Sequence, residues 1–149
     1  MKTLNAHITQ VKEGERNFEN AFQSVARMIL ESGFEKVTVN GKSTYDFKIF
    51  RNGKKHIVGM FDEINSFVSY VKDASEGGSS KEMAFVLVGE PGNGKTFFVD
   101  FLCHKYREFL SEPRNTKYTF RFKNLDRLGN YGQIKAIESQ TYEDPMILA

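Results

Sequence analysis

From Asn17 onward, apolar side chains recur at Phe18, Phe22, Val25 and Ile29, which predicts an amphipathic helix stopped by Gly33. Two Asn-Gly pairs, Asn40-Gly41 and Asn52-Gly53, then separate β-prone stretches in which Tyr45, Phe47 and Ile49 alternate with Asp46 and Lys48. This pattern predicts a three-strand meander over 36–39, 43–50 and 55–58 with one buried face. Asp62 is expected to cap a second helix, whose stripe Ile64, Phe67, Val68 and Val71 runs to about Ser75. Glu76-Gly77-Gly78-Ser79-Ser80 ends that helix and reads as a short flexible connector rather than a domain boundary. Ala84-Phe85-Val86-Leu87-Val88 is an unbroken apolar run, the pattern of a strand covered on both faces in a parallel sheet. A helix over Lys95–Leu110, a loop over Ser111–Asn115 and a strand over Lys117–Phe122 follow. In that strand Tyr118, Phe120 and Phe122 alternate with Thr119 and Arg121, as at a sheet edge. Residues 1–16 show no period and are expected to be a mobile lead-in.

Between the apolar run and the helix at Lys95 lies Gly89-Glu90-Pro91-Gly92-Asn93-Gly94-Lys95-Thr96, which meets the phosphate-loop pattern G-x-x-x-x-G-K-[ST] at every fixed position. At ordinary residue usage such a match arises by chance in about one window in 20,000 to 30,000. The context, strand before and helix after, is the one the pattern requires. Glycines at 89, 92 and 94 relieve the Cβ clash that blocks unusual backbone angles, so successive N–H groups can turn inward on an anion. The helix that follows adds its positive dipole end. Lys95 is expected to reach the β- and γ-phosphates, and the Thr96 hydroxyl to ligate Mg²⁺.

A phosphate loop alone hydrolyses nothing, because a second acid at the end of another strand helps hold the metal. No apolar run ending in Asp occurs after Thr96, and Asp144 follows Thr141-Tyr142-Glu143, which is not such a strand. Val58-Gly59-Met60-Phe61-Asp62-Glu63 resembles one, but its acids are better read as the start of a helix. His7, His56, His104 and Cys103 lack metal-ligand spacing, and Lys54-Lys55-His56 reads as a solvated turn. Asp126–Gly132 reads as a polar surface loop, and no catalytic base can be named. The Asn-Lys-x-Asp tetrad of guanine-specific sites is absent, which favours adenine.

Composition narrows the class. The 149 residues suit one domain, with 40% hydrophobic and 27% charged residues as in ordinary globular chains. A formal charge of +2 makes nucleic acid an unfavoured partner. One cysteine and no long apolar run point away from a disulfide scaffold or a membrane span, and the expected location is cytoplasmic.

The phosphate loop, the stretch His56–Met60 upstream of it and the helix between resemble the front half of an AAA-type ATPase core. More narrowly, Val58–Ile64, Phe85–Phe98 and the Phe18–Gly33 helix resemble the amino-terminal AAA region of PrkA-type bacterial serine protein kinases. The resemblance implies an α/β fold: a P-loop NTPase three-layer α/β/α core, incomplete at its carboxyl end and preceded by a helix and small meander. It implies a lead-in over 1–16, helix and meander over 17–58, and the front of the nucleotide-binding core over 59–149. It further implies ATP and Mg²⁺ as ligands, with Ile57, Val58 and Gly59 packing on adenine and Phe97 joining Gly89–Thr96 at the nucleotide. Phosphorylation of a protein substrate and assembly into a ring belong, on this reading, to a longer parent. There the second acid, sensor residues and arginine finger lie beyond Ala149, which leaves Phe85–Leu87 short of sheet neighbours and the isolated chain prone to associate. Two other outputs fit the same residues: an ATPase that drives remodelling or proteolysis, and a non-enzymatic nucleotide-binding assembly module.

Overall fold

Asn20 starts the first long helix through a reciprocal box: its side chain accepts from the Gln23 N–H at 2.9 Å, while the Gln23 side chain accepts from the Asn20 N–H at 2.9 Å. This detail comes from a computed structural model, which describes residues 2–52, 55–56, 60–90, 92, 94–130 and 132–149. The chain divides into two compact units, Glu19–Phe109 and the pair Met1–Phe18 with Leu110–Ala149.

In the Glu19–Phe109 unit, α2 spans Ala21–Glu31 and turns Ala26, Met28 and Ile29 inward (α1 belongs to the other unit). Asn20, not Asn17, sets its start, so Phe18 stays outside the helix and 59% exposed. Arg27 locks the preceding segment to α2 through Nη2 and Nε, 2.6 and 3.0 Å from the two Glu19 carboxylate oxygens, and its guanidinium covers the Phe109 ring at 4.7 Å. Strands β1 (Phe34–Val39) and β2 (Lys42–Phe47) pair antiparallel around Asn40-Gly41. Asn40 and Gly41 have φ of 50° and 75°, the left-handed pair that a two-residue hairpin turn demands.

The expected single meander is corrected here. Ile49 and Phe50 are both buried, which a strand with only one covered face cannot do with consecutive residues, and the chain makes a 3-10 turn over Lys48–Phe50. Short strands β3 (Arg51–Asn52) and β4 (Lys55–His56) then pair as a separate two-stranded sheet. Helix α3 spans Phe61–Ser75 and buries Ile64, Val68, Val71 and Ala74. Met60 occupies its cap position without a side-chain bond, so Asp62 is not the cap and instead sits exposed with Glu63 in the first turn. The connector after α3 is pinned: Gly78 N–H donates to the Asp73 carbonyl at 2.8 Å and Ser80 N–H to the Asp73 carboxylate at 2.9 Å.

The run 84–88 departs from the expected doubly covered strand. Phe85 and Leu87 are half-buried, Phe85 meeting Phe67 and Tyr70 at ring separations of 5.4 Å, while Val86 and Val88 are 70% and 90% exposed. Among the described residues no strand pairs with it, so only the face toward α3 is covered. Helix α4 spans Lys95–Ser111, and its Phe98, 2% exposed, stacks on Phe50 and sits edge-on to Phe67. One cluster of Met28, Ile29, Phe47, Ile49, Phe50, Ile64, Val68, Phe98 and Phe101 thus joins α2, the 3-10 turn, α3 and α4.

In the other unit the expected lead-in contains a helix, α1 (Leu4–Lys12), capped by the Thr3 side chain, which accepts from Ala6 N–H. The strand expected over Lys117–Phe122 shrinks to β5 (Arg121–Lys123), which pairs antiparallel with β6 (Ala136–Glu138). Between them, a 3-10 turn over Leu125–Leu128 and the left-handed Gly129 carry the Asp126–Gly132 loop; Leu125 is buried.

Candidate functional site

The phosphate loop leaves the half-buried Leu87 and returns to the core at Phe98, so its two ends are anchored in one apolar cluster. Between these anchors the backbone turns twice through the left-handed region, with φ of 88° at Gly92 and 75° at Gly94. At Gly92 the requirement is conformational, since a β-carbon there would meet nothing within 4 Å; at Gly94 it would also meet Met60 Sδ at 3.5 Å. Phe98 N–H donates to the Gly94 carbonyl at 2.8 Å, the first bond of the α4 ladder. The N–H groups of Lys95, Thr96 and Phe97 therefore lie in the first turn, where an α-helix supplies no carbonyl four residues back within itself.

Lys95 is half-buried, and its Nζ donates to the Gly89 carbonyl at 2.7 Å and the Glu90 carbonyl at 2.6 Å. An ammonium has three N–H donors, so this clamp uses two and leaves one to point at an incoming anion. Without the clamp, those carbonyl oxygens would present negative dipoles toward a phosphate. The arrangement fits a phosphate group: glycine turns, a helix N-terminus and one cation held at the loop's own opening.

Thr96 is exposed on the first turn of α4, where its hydroxyl is accessible to a metal ion carried in by a phosphate; Phe97 beside it is 40% exposed. Glu90 contributes its carbonyl to the clamp. Pro91 and Asn93 lie outside the described residues, as do Ile57, Val58 and Gly59, the expected adenine segment. Met60, the next residue after that segment, is described, and its Sδ lies 3.5 Å from where a β-carbon on Gly94 would stand. Its place beside the loop carried no signal in the sequence, because nothing in apolar periodicity distinguishes a methionine beside a glycine turn from one that fills a core.

The remaining titratable candidates are used in other ways. No group of three or more His, Cys, Asp or Glu side chains with metal-binding geometry occurs among the described residues. Asp144 accepts from Met146 N–H at 2.8 Å, capping a 3-10 turn, and lies 3.5 Å from Nε2 of the buried His7. His104 reaches Glu108 at 3.2 Å along α4, where Lys105 Nζ lies 2.8 Å from the same carboxylate. The Lys105 and His104 partners hold the Glu108 carboxyl below its ordinary range, with Lys105 the larger cause. Cys103 is exposed and free. Tyr118, Phe120, Phe122, His7 and Pro145 help line a cleft of about 830 Å³ in their own unit, and no phosphate-loop residue lines it.

No protein-family model, curated protein or solved structure matches the chain. Among the described residues no helix is long and apolar enough to cross a membrane.

Proposed function

We propose that residues 89–96 bind Mg·ATP and that the chain is the nucleotide-binding region of an AAA-type, PrkA-like serine protein kinase. The supporting observation is the Lys95 ammonium, clamped by the Gly89 and Glu90 carbonyls at the head of α4 beside two left-handed glycines. In this reading Lys95 binds the β- and γ-phosphates, the first-turn N–H groups of α4 cradle them, and the Thr96 hydroxyl ligates Mg²⁺. The metal, when bound, neutralises charge building on the β- and γ-oxygens. Ile57, Val58 and Gly59 receive the adenine, and the run 84–88 is proposed as the first strand of a three-layer P-loop core.

Titration of the chain with Mg·ATP, alongside Lys95→Ala, tests the site. Binding by the wild-type chain that Lys95→Ala abolishes, with its melting transition kept, supports it; equal affinities sink it. Kinase output is read separately, with γ-labelled ATP. Transfer of label to a protein serine or threonine supports the kinase reading. Phosphate release that labels no protein supports a remodelling or proteolytic motor, and binding with neither supports an assembly module.

A further inference from the structure

Gly94 is the last hinge before α4, and two neighbours flank it. On one side its carbonyl takes the Phe98 N–H at 2.8 Å, which ties it to the helix. On the other, where a side chain would project, Met60 Sδ stands 3.5 Å from the position of a β-carbon. Met60 is half-buried, packs against the apolar cluster that contains Phe98, and offers its carbonyl to Ile64 N–H at 2.9 Å to open α3. Its side chain makes no capping bond. Its thioether therefore lies between the start of α3 and the turn that aims the first N–H groups of α4.

A glycine at a φ of 75° has no side chain of its own to restrict it, and it loses more conformational freedom on ordering than any other residue. Whatever narrows its freedom in the absence of ligand lowers the entropy that phosphate binding must later overcome. A methionine suits this task, because an unbranched, polarizable side chain can settle close to a bare backbone.

We propose that Met60 is a positioning residue for the phosphate loop: its δ-atom holds the Gly94 turn in the conformation that receives the triphosphate, without touching the nucleotide. The inference rests on the nucleotide-binding reading above. It separates Met60 from Ile57, Val58 and Gly59, to which that reading gives the base, although Met60 follows them directly in sequence.

Two apolar substitutions isolate the δ-atom. Met60→Leu keeps a carbon at the δ position, whereas Met60→Val ends at γ and withdraws from Gly94. The full chain is titrated with Mg·ATP and with Mg·tripolyphosphate, which has no base, and amide hydrogen exchange of Phe98, whose N–H donates to the Gly94 carbonyl, is followed without ligand. Met60→Val is expected to weaken both ligands by the same factor, about three- to tenfold, while Met60→Leu stays within about twofold of wild type. Exchange at Phe98 is expected to quicken in Met60→Val and not in Met60→Leu. Wild-type affinities and exchange in Met60→Val overturn the proposal. Loss of ATP affinity without loss of tripolyphosphate affinity also overturns it, because Met60 would then be a base contact. Equal losses in Val and Leu overturn the δ-atom role as well. If the wild-type chain binds neither ligand, the nucleotide reading fails, and the exchange comparison alone decides whether Met60 restrains the loop.

Discussion

Lys95 Nζ donates to the Gly89 carbonyl at 2.7 Å, so the first residue of α4 closes the phosphate loop onto the residue that opens it. The Glu90 carbonyl converges on the same nitrogen at 2.6 Å. One compact ammonium can serve both carbonyls and keep a third donor for phosphate. A guanidinium offers its donors from a rigid plane at the end of a longer stem, so it does not place three donors on one nitrogen where both carbonyls converge.

Lys95→Arg is therefore expected to behave almost as Lys95→Ala despite its retained charge, losing at least about thirtyfold in Mg·ATP affinity. Phe98 and Phe101 hold α4 in the core, so the melting temperature is expected to stay close to wild type. Calorimetry with a parallel thermal scan checks both. Near-wild-type affinity in Lys95→Arg would show that positive charge alone suffices and that the carbonyl clamp is incidental.

Substitution of Thr96 tests the proposed metal ligand apart from the proposed phosphate contacts. Its hydroxyl is exposed on the first turn of α4, so Thr96→Val removes the expected Mg²⁺ ligand while preserving shape and leaving Lys95 in place. ATP affinity measured with Mg²⁺ is expected to fall by about tenfold, and affinity measured in a chelator to stay unchanged. An equal loss under both conditions would assign Thr96 to phosphate or to packing instead of the metal.

The parts that were legible in the sequence were those governed by local rules. The Asn40-Gly41 turn, the stripe of α3 and the helix that begins at Lys95 each follow from residue types within a few positions of one another. Asn20 and Gln23 carried a start signal that outranked the apolar fit of Phe18, because a reciprocal cap satisfies two N–H groups that an extra turn would leave open. Ile49 and Phe50 were misread, since the alternation that includes Ile49 ends where two neighbouring side chains must both enter the core. The run 84–88 was apolar throughout, yet composition cannot say which residues acquire neighbours; that depends on pairing at long range. The Lys95 clamp and the Met60–Gly94 proximity were likewise invisible, as both depend on where a backbone folds back.

Asp73 shows how the connector before the 84–88 run is held, and it yields a pH test. Bonds from the Ser80 hydroxyl, and secondarily its N–H, hold the Asp73 carboxyl below its ordinary 3.8. A carboxyl whose folded value is depressed adds stability above its unfolded value, and that stability is lost as pH falls through the folded one. Asp73→Asn is thus expected to melt a few degrees below wild type at pH 7, with the gap closing as the pH drops below about 3.8. Gly78 supplies a second handle on the same bond. Its backbone needs no glycine, but an added β-carbon would overlap the Asp73 carboxylate, which must swing away and release Ser80. Gly78→Ala is expected to lower the melting temperature at pH 7 and to make it as insensitive to acid as Asp73→Asn. In the double variant the two losses should not add, because either change alone already breaks the Asp73–Ser80 contact. Additive losses in the thermal scans would mean that Gly78 serves the turn for a reason other than clearing space for Asp73.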